Sequence, residues 1–541
     1  MNKKTNTLAL LSSFLLWLAW PPIPYTGPVL LFALVPLLLA VDQIAQSATS
    51  HKGRQILGLC FAAFAAWNTA SIYWVYNSLA SAMAAPLAVL ISLIPFGLGA
   101  LLMTLAFWAY YQSQKLFSRF WSYLALISFW ITYEWLHQSW DLAFPWMNLG
   151  NGFAQTHQLV QWYEFTGIYG GTLWILVSNI LLFEIIRTKI GPVRWFSRSV
   201  YIYMAWVIVP LSYSLYRYYN YEERINPANV VVVQPNIDPY AKYGSMPASV
   251  QLQQLIHLSD SLGQNNTEFF IWPETAIPEL TDEEQIRTNA NFVSVQQFLN
   301  KYKNGNVLSG IESYRLYQSR LTATAKFDEN SRLYYDSFNA AIQIENSAQV
   351  SFYHKSKLVP GVEQLPFASA LAFMKPAFAA FGGSTGGYGQ QEKPSVFYAQ
   401  SGLGVSPVIC YESIWGNYVA ESVKQGASFI AIMTNDAWWG NTSGKDQHLA
   451  YAKLRAIENR RWVTRSANTG ISAFINQRGD VVQQSQWWVP AALKTDINLN
   501  EETTFYTQHG DILASVGVLG ALAFLLFAMF LFIRKRFTIN K

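Results

Sequence analysis

Cysteine and charged residues are both scarce in this chain. Two cysteines occur among 541 residues, and charged residues make up 13% of the sequence, whereas 52% is apolar. The cysteine count argues against a disulfide framework of the kind that holds small secreted domains together. The excess of apolar residues argues against an ordinary soluble protein of this length. The net charge of +5 does not indicate nucleic-acid binding, because much of the basic excess lies in short connections between apolar runs.

Apolar runs long enough to cross a bilayer fill the first 218 residues and recur near the C-terminus. A spanning helix needs about 20 predominantly apolar residues. We predict eight such helices, at about 7–22, 27–45, 56–76, 86–111, 120–137, 167–186, 198–217 and 511–533. The first is predicted to be an uncleaved anchor and not a signal peptide, because WPPIPYTG follows it in place of a small-residue cleavage site.

Lys and Arg are missing from every second connection between these helices. None occurs around 23–26, 77–85 or 138–166, whereas the other connections carry several. Because positive charge is retained on the cytoplasmic side, the alternation predicts that both termini are cytoplasmic. It also predicts that the polar segment between the seventh and eighth helices lies outside the cytoplasm.

That polar segment alternates strand-like and helical stretches. The strand-like runs are 229–237, 268–275, 306–313, 334–345, 404–412, 428–437 and 469–482, and the helical stretches are 247–263, 283–302, 414–425 and 446–460. This alternation predicts an α/β domain with at least two strands buried on both faces. We therefore predict a membrane domain of seven helices at 1–218, a globular domain at 219–508, and a last spanning helix with a cytoplasmic tail at 509–541.

Several strand-like runs end in residues with useful chemistry. Glu274 follows FFIWP, Cys410 follows VSPVI, and Asn435 and Asp436 follow FIAIMT. Because sites in such sheets gather at the carboxyl ends of strands, we expect one cleft. An unpaired cysteine is unusual outside the cytoplasm, and Cys60, inside an apolar run, is poorly placed to pair with Cys410. Cys410 is therefore either a nucleophile or a buried apolar side chain.

A nucleophilic cysteine needs a base for its proton and donors for the oxyanion formed on attack. The domain offers His354 and His448, with His509 beside it, but the sequence specifies no Asp or Asn partner for them. A buried carboxylate with a nearby lysine is the other arrangement. Glu274 and Lys355 are the candidates.

Three motifs resemble the Glu, Lys, Cys triad of the nitrilase superfamily in order and spacing. They are WPETAIP around Glu274, YHKSKLVPGVE around Lys355 and ICYE around Cys410. With seven spans before and one after, and with EWLHQSW and FPWMNLGN in the membrane half, the chain resembles the apolipoprotein N-acyltransferases, the membrane-embedded branch of that superfamily. The chain reads LVPGVE where that family commonly has Leu-Val-Pro-Phe-Gly-Glu, a departure that bears on the loop before Glu363.

The resemblance implies a polytopic α-helical membrane domain joined to an extracytoplasmic α-β-β-α nitrilase-like sandwich. It places the chain in a bacterial inner membrane, with the catalytic domain in the periplasm. Glu274 would deprotonate Cys410, which would take a fatty acyl chain from a membrane phospholipid as a thioester, and Lys355 would stabilise the oxyanion. The α-amine of a diacylglyceryl-modified cysteine at the N-terminus of an apolipoprotein would then accept the chain. No metal or soluble cofactor is implied, because the acyl donor is a lipid.

The same match carries over three auxiliary residues, Glu363, Tyr411 and Glu412, which would position Lys355 or the amine. For the two carboxylates the alternative is a structural ion pair. The choice of Lys355 over Lys357 rests on the motif alone.

Other features suggest how lipid reaches the cleft. The apolar run 365–383, followed by STGGYG, is predicted to be a lid or membrane-dipping arm that receives the acyl chain, with a buried core helix as the alternative. Trp438 and Trp439 are either a second membrane contact or internal packing. Glu134, the acidic residue well inside the fifth span, is a functional candidate by its depth, unless it reaches the headgroups.

Two other functions fit some of these features. A membrane-tethered nitrilase-type amidohydrolase acting on a small amide would use the same triad with water as second nucleophile, although one anchor would suffice for it. A transporter or receptor with a structural ectodomain would be expected to carry intramembrane charges along an ion pathway. The sequence has no run of such charges, so the acyltransferase is the favoured function.

Overall fold

The computed structural model describes residues 3–81, 83–187, 197–242, 246–367 and 387–539. The chain forms two compact units. The first comprises Met1–Ala80, Ala84–Tyr219 and Asp511–Lys541, and the second comprises Ser81–Met83 and Asn220–Gly510.

The first unit is helical. Its helices are Lys3–Leu18, Leu30–Ala33, Val35–Gln46, Lys52–Ile72, Trp74–Ala80, Ala85–Ser113, Arg119–Leu136, Tyr163–Arg187, Arg198–Asn220 and Ile512–Ile539. Among the described residues, six segments are long and apolar enough to cross a membrane: Gly27–Gln46, Lys52–Ile72, Ala85–Ser113, Tyr163–Arg187, Arg198–Asn220 and Ile512–Lys535. These six coincide with six of the eight predicted spans.

The other two predicted spans are helical but are not among these six. Lys3–Leu18 has 16 residues, which is short for a bilayer core of about 30 Å. Arg119–Leu136 has 18 residues and includes Arg119, Glu134 and several aromatic residues with polar atoms, which lowers its hydropathy.

A break in the second predicted span is stabilised by a distant asparagine. The helical hydrogen bonding is interrupted at Leu34, between the helices Leu30–Ala33 and Val35–Gln46, although the backbone angles of Leu34 stay in the helical region. Asn179 accepts a hydrogen bond from the Leu34 amide at 2.7 Å and donates one to the Leu30 carbonyl at 2.8 Å. Backbone polar groups need such partners in an apolar surrounding, so one buried side chain allows the break.

The second unit contains two sheets. The strands are β1 Pro227–Gln234, β2 Thr267–Ile271, β3 Ile277–Asp282, β4 Asn306–Tyr317, β5 Lys326–Asp328, β6 Leu333–Glu345, β7 Val350–His354, β8 Phe397–Tyr398, β9 Gly404–Ile409, β10 Phe429–Thr434, β11 Val463–Ala467, β12 Ala473–Ile475, β13 Val481–Gln484 and β14 Ala491–Asn498. One sheet has the order β14-β1-β2-β4-β6-β5, with β3 paired to β4 and β7 to β6, and the other has the order β13-β12-β11-β10-β9-β8. Strands β1, β2 and β4 are mutually parallel, as are β9, β10 and β11.

Three apolar layers show how the sheets and helices stack. Side chains alternate between the faces of a strand, so Val230 and Val232 of β1 pack against the other sheet while Val231 and Val233 pack against helices. The helices on that outer face are Ala248–Leu262 and Ala290–Leu299, and those outside the second sheet are Gly416–Lys424 and Ser443–Asn459. This order of layers confirms the predicted α-β-β-α sandwich.

The sequence interpretation was wrong for one run and missed several strands, among them β3, β5, β8 and β14. The run 469–482 is not one strand but the antiparallel pair β12 and β13, because the Asn476 side chain accepts hydrogen bonds from the amides of Arg478 and Asp480 and closes a turn. The central strand β11 was not anticipated. It carries the fully buried Arg465, and arginine is rarely found in a core.

Candidate active site

Turns at the ends of three strands carry Glu274, Lys355 and Cys410. Glu274 lies in the turn after β2, Lys355 directly follows β7, and Cys410 directly follows β9. The turn of Glu274 packs closely on β4, where the Gly310 amide donates to the Pro273 carbonyl at 3.0 Å. A Cβ atom at Gly310 would lie 2.6 Å from the Glu274 Cα. Only glycine therefore allows this approach.

Lys355 is the centre of a buried charge cluster. Its side chain is 1% exposed, and its ammonium lies 3.1 Å from Glu274 Oε1 and 2.8 Å from Glu363 Oε1. Although burial alone lowers the pKa of Lys355, the carboxylates of Glu274 and Glu363 raise it well above its usual range. Lys355 is therefore a permanent cation in this site.

Asn339 joins the same cluster and was not identified from the sequence. Asn339 lies in β6, and its side-chain amide nitrogen donates to Glu274 Oε1 at 2.8 Å and to Glu363 Oε1 at 2.9 Å. Asparagine is depleted in strands, so its position inside YYDSFNAAIQIE was the available signal.

A second buried lysine lies beside Glu274. Lys242 donates to the Thr275 hydroxyl at 2.6 Å and also to the Thr275 carbonyl. Burial lowers the pKa of Lys242 to about 8, while the nearby Glu312 and Glu274 oppose that shift. Lys242 was not a sequence candidate, because nothing local links residue 242 to Glu274.

Cys410 directly follows β9 and begins the short 3-10 segment Cys410–Ile414 with a strained backbone conformation. Its φ is +50°, which is uncommon for any residue other than glycine, and its side chain is buried. Burial raises the pKa of the Cys410 thiol, Glu274 raises it further, and Lys355 lowers it. The resting side chain is therefore a neutral thiol at pH 7, so a nucleophilic role requires a base.

The loop that departs from the expected motif still brings Glu363 to Lys355. Glu363 Oε2 accepts a hydrogen bond from the Val359 amide at 2.8 Å. Gly361, with φ +80°, donates to the Gln364 carbonyl and tightens the turn. LVPGVE thus keeps the carboxylate beside the ammonium.

Glu412 contacts the backbone around the site. It is fully buried and accepts hydrogen bonds from the Tyr353 hydroxyl at 2.5 Å, the Ser356 amide at 2.6 Å and the Ile409 amide at 2.8 Å. These contacts tie the chain next to Lys355 to the strand end before Cys410. Tyr411 is also buried, and its ring packs edge-on against Trp415 at 4.8 Å between centroids.

Other candidates lie outside the charge cluster. The Lys357 ammonium lies over the Tyr418 ring, 5.2 Å from its centroid. His354 Nε2 lies 2.6 Å from Glu283 Oε1, and the His509 ring stacks on Phe505. Lys355 and not Lys357 is therefore the lysine that contacts the two carboxylates.

Asp436, the carboxylate after β10, contacts His448 and Arg465 and also raises the pKa of the Cys410 thiol. It is fully buried, with Oδ1 3.1 Å from His448 Nδ1 and Oδ2 accepting from Arg465. Burial alone would raise the pKa of Asp436, but Arg465 and His448 lower this pKa to about 2. Asn435 accepts a hydrogen bond from the Asn468 side chain at 3.4 Å.

The proposed routes for lipid are only partly described. Most of the predicted lid, residues 368–386, lies outside the described residues. Trp438 is 41% exposed, whereas Trp439 packs edge-on against His448 at 5.2 Å between centroids. Of the two alternatives given for this pair, membrane contact or internal packing, Trp439 fits internal packing.

Glu134 does not reach the surface of the helical unit. It is fully buried and accepts hydrogen bonds from Trp130 Nε1 at 3.0 Å, the Leu149 amide at 2.8 Å and the Thr172 hydroxyl at 2.8 Å. The alternative that Glu134 reaches the lipid headgroups is therefore wrong. Its contacts join two helices to the segment between them.

Comparisons with known proteins divide the chain at the same region. Residues 12–181 match the apolipoprotein N-acyltransferase N-terminal domain, and residues 229–505 match the carbon-nitrogen hydrolase family. A protein of Chlorobaculum tepidum named apolipoprotein N-acyltransferase is 29% identical over 95% of both chains, and one of Geobacter metallireducens with the same name is 26% identical over 96% of this chain and 94% of its own. The crystal structure of an amidase from Nesterenkonia sp. aligns with 54% of this chain and 96% of its own, with 13% identity and a TM-score of 0.36.

These matches confirm the resemblance drawn from the three motifs. The full-length relatives also favour an acyltransferase over the small-amide hydrolase, because they share the helical half as well as the α/β half. The carbon-nitrogen hydrolase match spans just over half of the 541 residues. The chain therefore belongs to the carbon-nitrogen hydrolase family, and its residues 12–181 match the N-terminal domain of apolipoprotein N-acyltransferase.

Proposed function

We propose that this protein is an N-acyltransferase that moves a fatty acyl chain from a membrane phospholipid, through a thioester on Cys410, to the α-amine of the N-terminal diacylglyceryl-cysteine of apolipoproteins. The observation that carries the proposal is the contact of Lys355 with two buried carboxylates, Glu274 and Glu363, in the site that includes Cys410. This cluster offers a base, a fixed cation and a nucleophile without a metal.

In the first step Glu274 takes the proton of the Cys410 thiol as the sulfur attacks the ester carbonyl carbon of the lipid. The carbonyl oxygen becomes an oxyanion, which the Lys355 ammonium and a backbone amide stabilise. When the oxyanion collapses, the ester C–O bond breaks and Glu274 returns the proton to the departing lysophospholipid. A thioester remains on Cys410.

In the second step the free α-amine attacks the thioester carbonyl. Glu274 accepts the amine proton, and the C–S bond breaks to leave an amide on the acceptor and the Cys410 sulfur. The proton then returns to sulfur. Glu363 holds Lys355 through both steps, Glu412 holds the surrounding backbone, and Tyr411 supplies its amide.

The proposed location follows from the same resemblance and from the distribution of Lys and Arg. The protein would lie in the inner membrane with both termini in the cytoplasm and the catalytic domain in the periplasm. Segments 1–218 and 509–541 would form the membrane part, and segment 219–508 the catalytic domain. Alkaline phosphatase fused after residue 302 should be active, and the same fusion after residue 116 should be inactive.

Intact-mass measurement after incubation with phosphatidylethanolamine tests the thioester directly. We expect an added acyl mass that hydroxylamine removes and that Cys410→Ala abolishes. Cys60→Ala is the matched control, because Cys60 is buried in the helix Lys52–Ile72 and should leave the adduct unchanged. A folded protein that forms no adduct with intact lipid would refute the proposal.

The acceptor step needs its own measurement. A diacylglyceryl-cysteine peptide with a free α-amine should discharge the thioester and gain the acyl chain, whereas the same peptide with an acetylated amine should not. If water discharged the thioester equally fast with either peptide, or if the protein released ammonia from a small aliphatic amide, the amidohydrolase would be the better description.

A further inference from the structure

Two buried side chains contact the backbone carbonyl of Cys410. The Ser413 hydroxyl donates to this carbonyl oxygen at 2.8 Å, and His448 Nε2 lies 3.1 Å from it. His448 Nε2 also lies 2.8 Å from the Ser413 oxygen. Both side chains are fully buried. The mechanism above does not use either of them.

The surroundings of the His448 ring indicate which nitrogen carries the proton. A carbonyl oxygen only accepts, so the contact with Cys410 requires a hydrogen on Nε2. Nδ1 lies 3.1 Å from Asp436 Oδ1 and 3.2 Å from a nitrogen of Arg465. With a hydrogen on Nδ1 alone, Nδ1 would donate to Asp436 and Nε2 could accept from Ser413, but no hydrogen would lie between Nε2 and the Cys410 carbonyl.

Burial and the charge of Arg465 lower the pKa of His448, against an opposing effect of Asp436. The contact with the Cys410 carbonyl needs a hydrogen on Nε2 whether or not Nδ1 also carries one. Arg465 also donates to Asp436 Oδ2, and the Thr434 hydroxyl donates to Asp436 Oδ1 at 2.9 Å. The Nδ1 side of the ring thus faces Asp436 and Arg465, while the Nε2 side faces Ser413 and the Cys410 carbonyl.

The hydrogen bonds that fix the Cys410 carbonyl also fix the direction of the Tyr411 N–H. The carbonyl of Cys410 and the N–H of Tyr411 belong to one planar trans peptide, so they point in opposite directions. Cys410 has a positive φ, a strained conformation that persists only when its surroundings enforce it. Two donors on the carbonyl supply that enforcement.

We propose that His448, oriented by Arg465 and Asp436, is a positioning residue that holds the Cys410–Tyr411 peptide so that the Tyr411 amide stabilises the oxyanion. This inference rests on the proposed acyl transfer at Cys410. His448 acts through the backbone and does not touch the acyl group. Loss of one oxyanion donor costs about 10²–10³-fold in rate in other enzymes, which sets the expected scale.

Two substitutions at His448 distinguish the effect of losing the Nε2 donor from the effect of losing the ring. The amide nitrogen of glutamine reaches about the position of Nε2, whereas that of asparagine reaches only about the position of Nδ1. We expect His448→Asn to slow thioester formation with phosphatidylethanolamine roughly 100-fold. We expect His448→Gln to retain most of the wild-type rate. The thioester is measured by intact mass in a single turnover.

Alkylation by iodoacetamide is the second measurement on the same variants. This displacement at a saturated carbon forms no oxyanion, so it needs the Cys410 sulfur but not the Tyr411 amide. We expect its rate at Cys410, followed by peptide mass, to be unchanged in both variants. Ser422→Ala, which removes a buried hydroxyl pair with Ser406 away from the Cys410 carbonyl, is the control for a loss of stability alone.

The outcomes separate this inference from the function on which it rests. A wild-type thioester rate in folded His448→Asn, or an equal fall in thioester formation and alkylation, would overturn the positioning role and leave the acyl transfer intact. If the wild-type protein formed no thioester, both proposals would fall. If His448→Asn does not fold, Ser413→Ala decides, since it removes one donor and should slow thioester formation several-fold with alkylation unchanged.

Discussion

The Lys355 ammonium lies 2.8 Å from Glu363 Oε1, and their side chains are only 1% and 12% exposed. A buried ion pair of this kind keeps its charges because each offsets the desolvation of the other. Glu274 approaches the same ammonium at 3.1 Å. The cluster thus holds one more carboxylate than cation among these three groups, which leaves one carboxylate available to take a proton.

Glu363→Gln should therefore reduce catalysis without removing the proposed base. With one carboxylate gone, the ammonium of Lys355 loses one of the two groups that hold it in place. We expect thioester formation to slow by about tenfold to a hundredfold, within the range of general-base effects. Single-turnover intact mass measures it, with Lys357→Gln as the control outside the cluster. An unchanged rate would show that Glu363 is only a structural partner.

The charges around Cys410 should shift its titration in opposite directions. Glu274 raises the pKa of the thiol and Lys355 lowers it. Glu274→Gln should therefore move the pH profile of iodoacetamide alkylation at Cys410 to lower pH, and Lys355→Met should move it to higher pH. Both variants should lose acyl transfer. Equal profiles for the two variants would contradict the proximity of these groups to the sulfur.

Asn339→Leu should affect stability and rate together. The amide of Asn339 donates to both carboxylates, and leucine of similar size leaves them without that donor. Hydrogen bonds to charged groups contribute about 1.5–3 kcal/mol each, so we expect the loss of two to lower the free energy of unfolding by about 3–6 kcal/mol. Chemical denaturation measures the fall. A change below about 0.5 kcal/mol would mean that Asn339 does not bridge the pair.

Glu412→Gln should destabilise the α/β unit more than its single lost charge suggests. The carboxylate accepts from one hydroxyl and from backbone amides including those of Ser356 and Ile409, and a glutamine NH₂ would face donors. We expect a loss of about 2–4 kcal/mol in the free energy of unfolding. Glu392→Gln, at an exposed position, is the control and should change the stability by less than about 0.5 kcal/mol.

Glu134→Gln tests the acidic residue within the helical unit. Its three donors indicate a structural role, so we expect a lower thermal unfolding midpoint in detergent. Thioester formation per folded molecule should stay within about twofold of wild type. Loss of turnover in fully folded protein would instead restore Glu134 as a functional candidate.

Much of this architecture was predictable because it depends on local patterns. Apolar runs of bilayer length became helices, and the alternation of valines in NVVVVQPNI assigned one face of β1 to each neighbouring layer. The catalytic candidates Glu274, Lys355 and Cys410 were named from short motifs. The phospholipid donor, the membrane orientation, the domain boundaries and the roles of the site residues remain predictions.

Contacts between distant parts of the chain were decided only by the tertiary structure. Glu274 and Lys355 are 81 residues apart, and their distance depends on how β2 and β7 are placed in one sheet. The motif shows only that Glu412 follows Tyr411. The structure shows that its carboxylate accepts hydrogen bonds from the backbone amides of Ser356 and Ile409. His448 contacts Asp436 only because the helix Ser443–Asn459 packs on the sheet that contains β10, the strand just before Asp436. Local sequence determines which elements form, whereas the packing of two sheets decides which polar side chains share a buried space and must pair there.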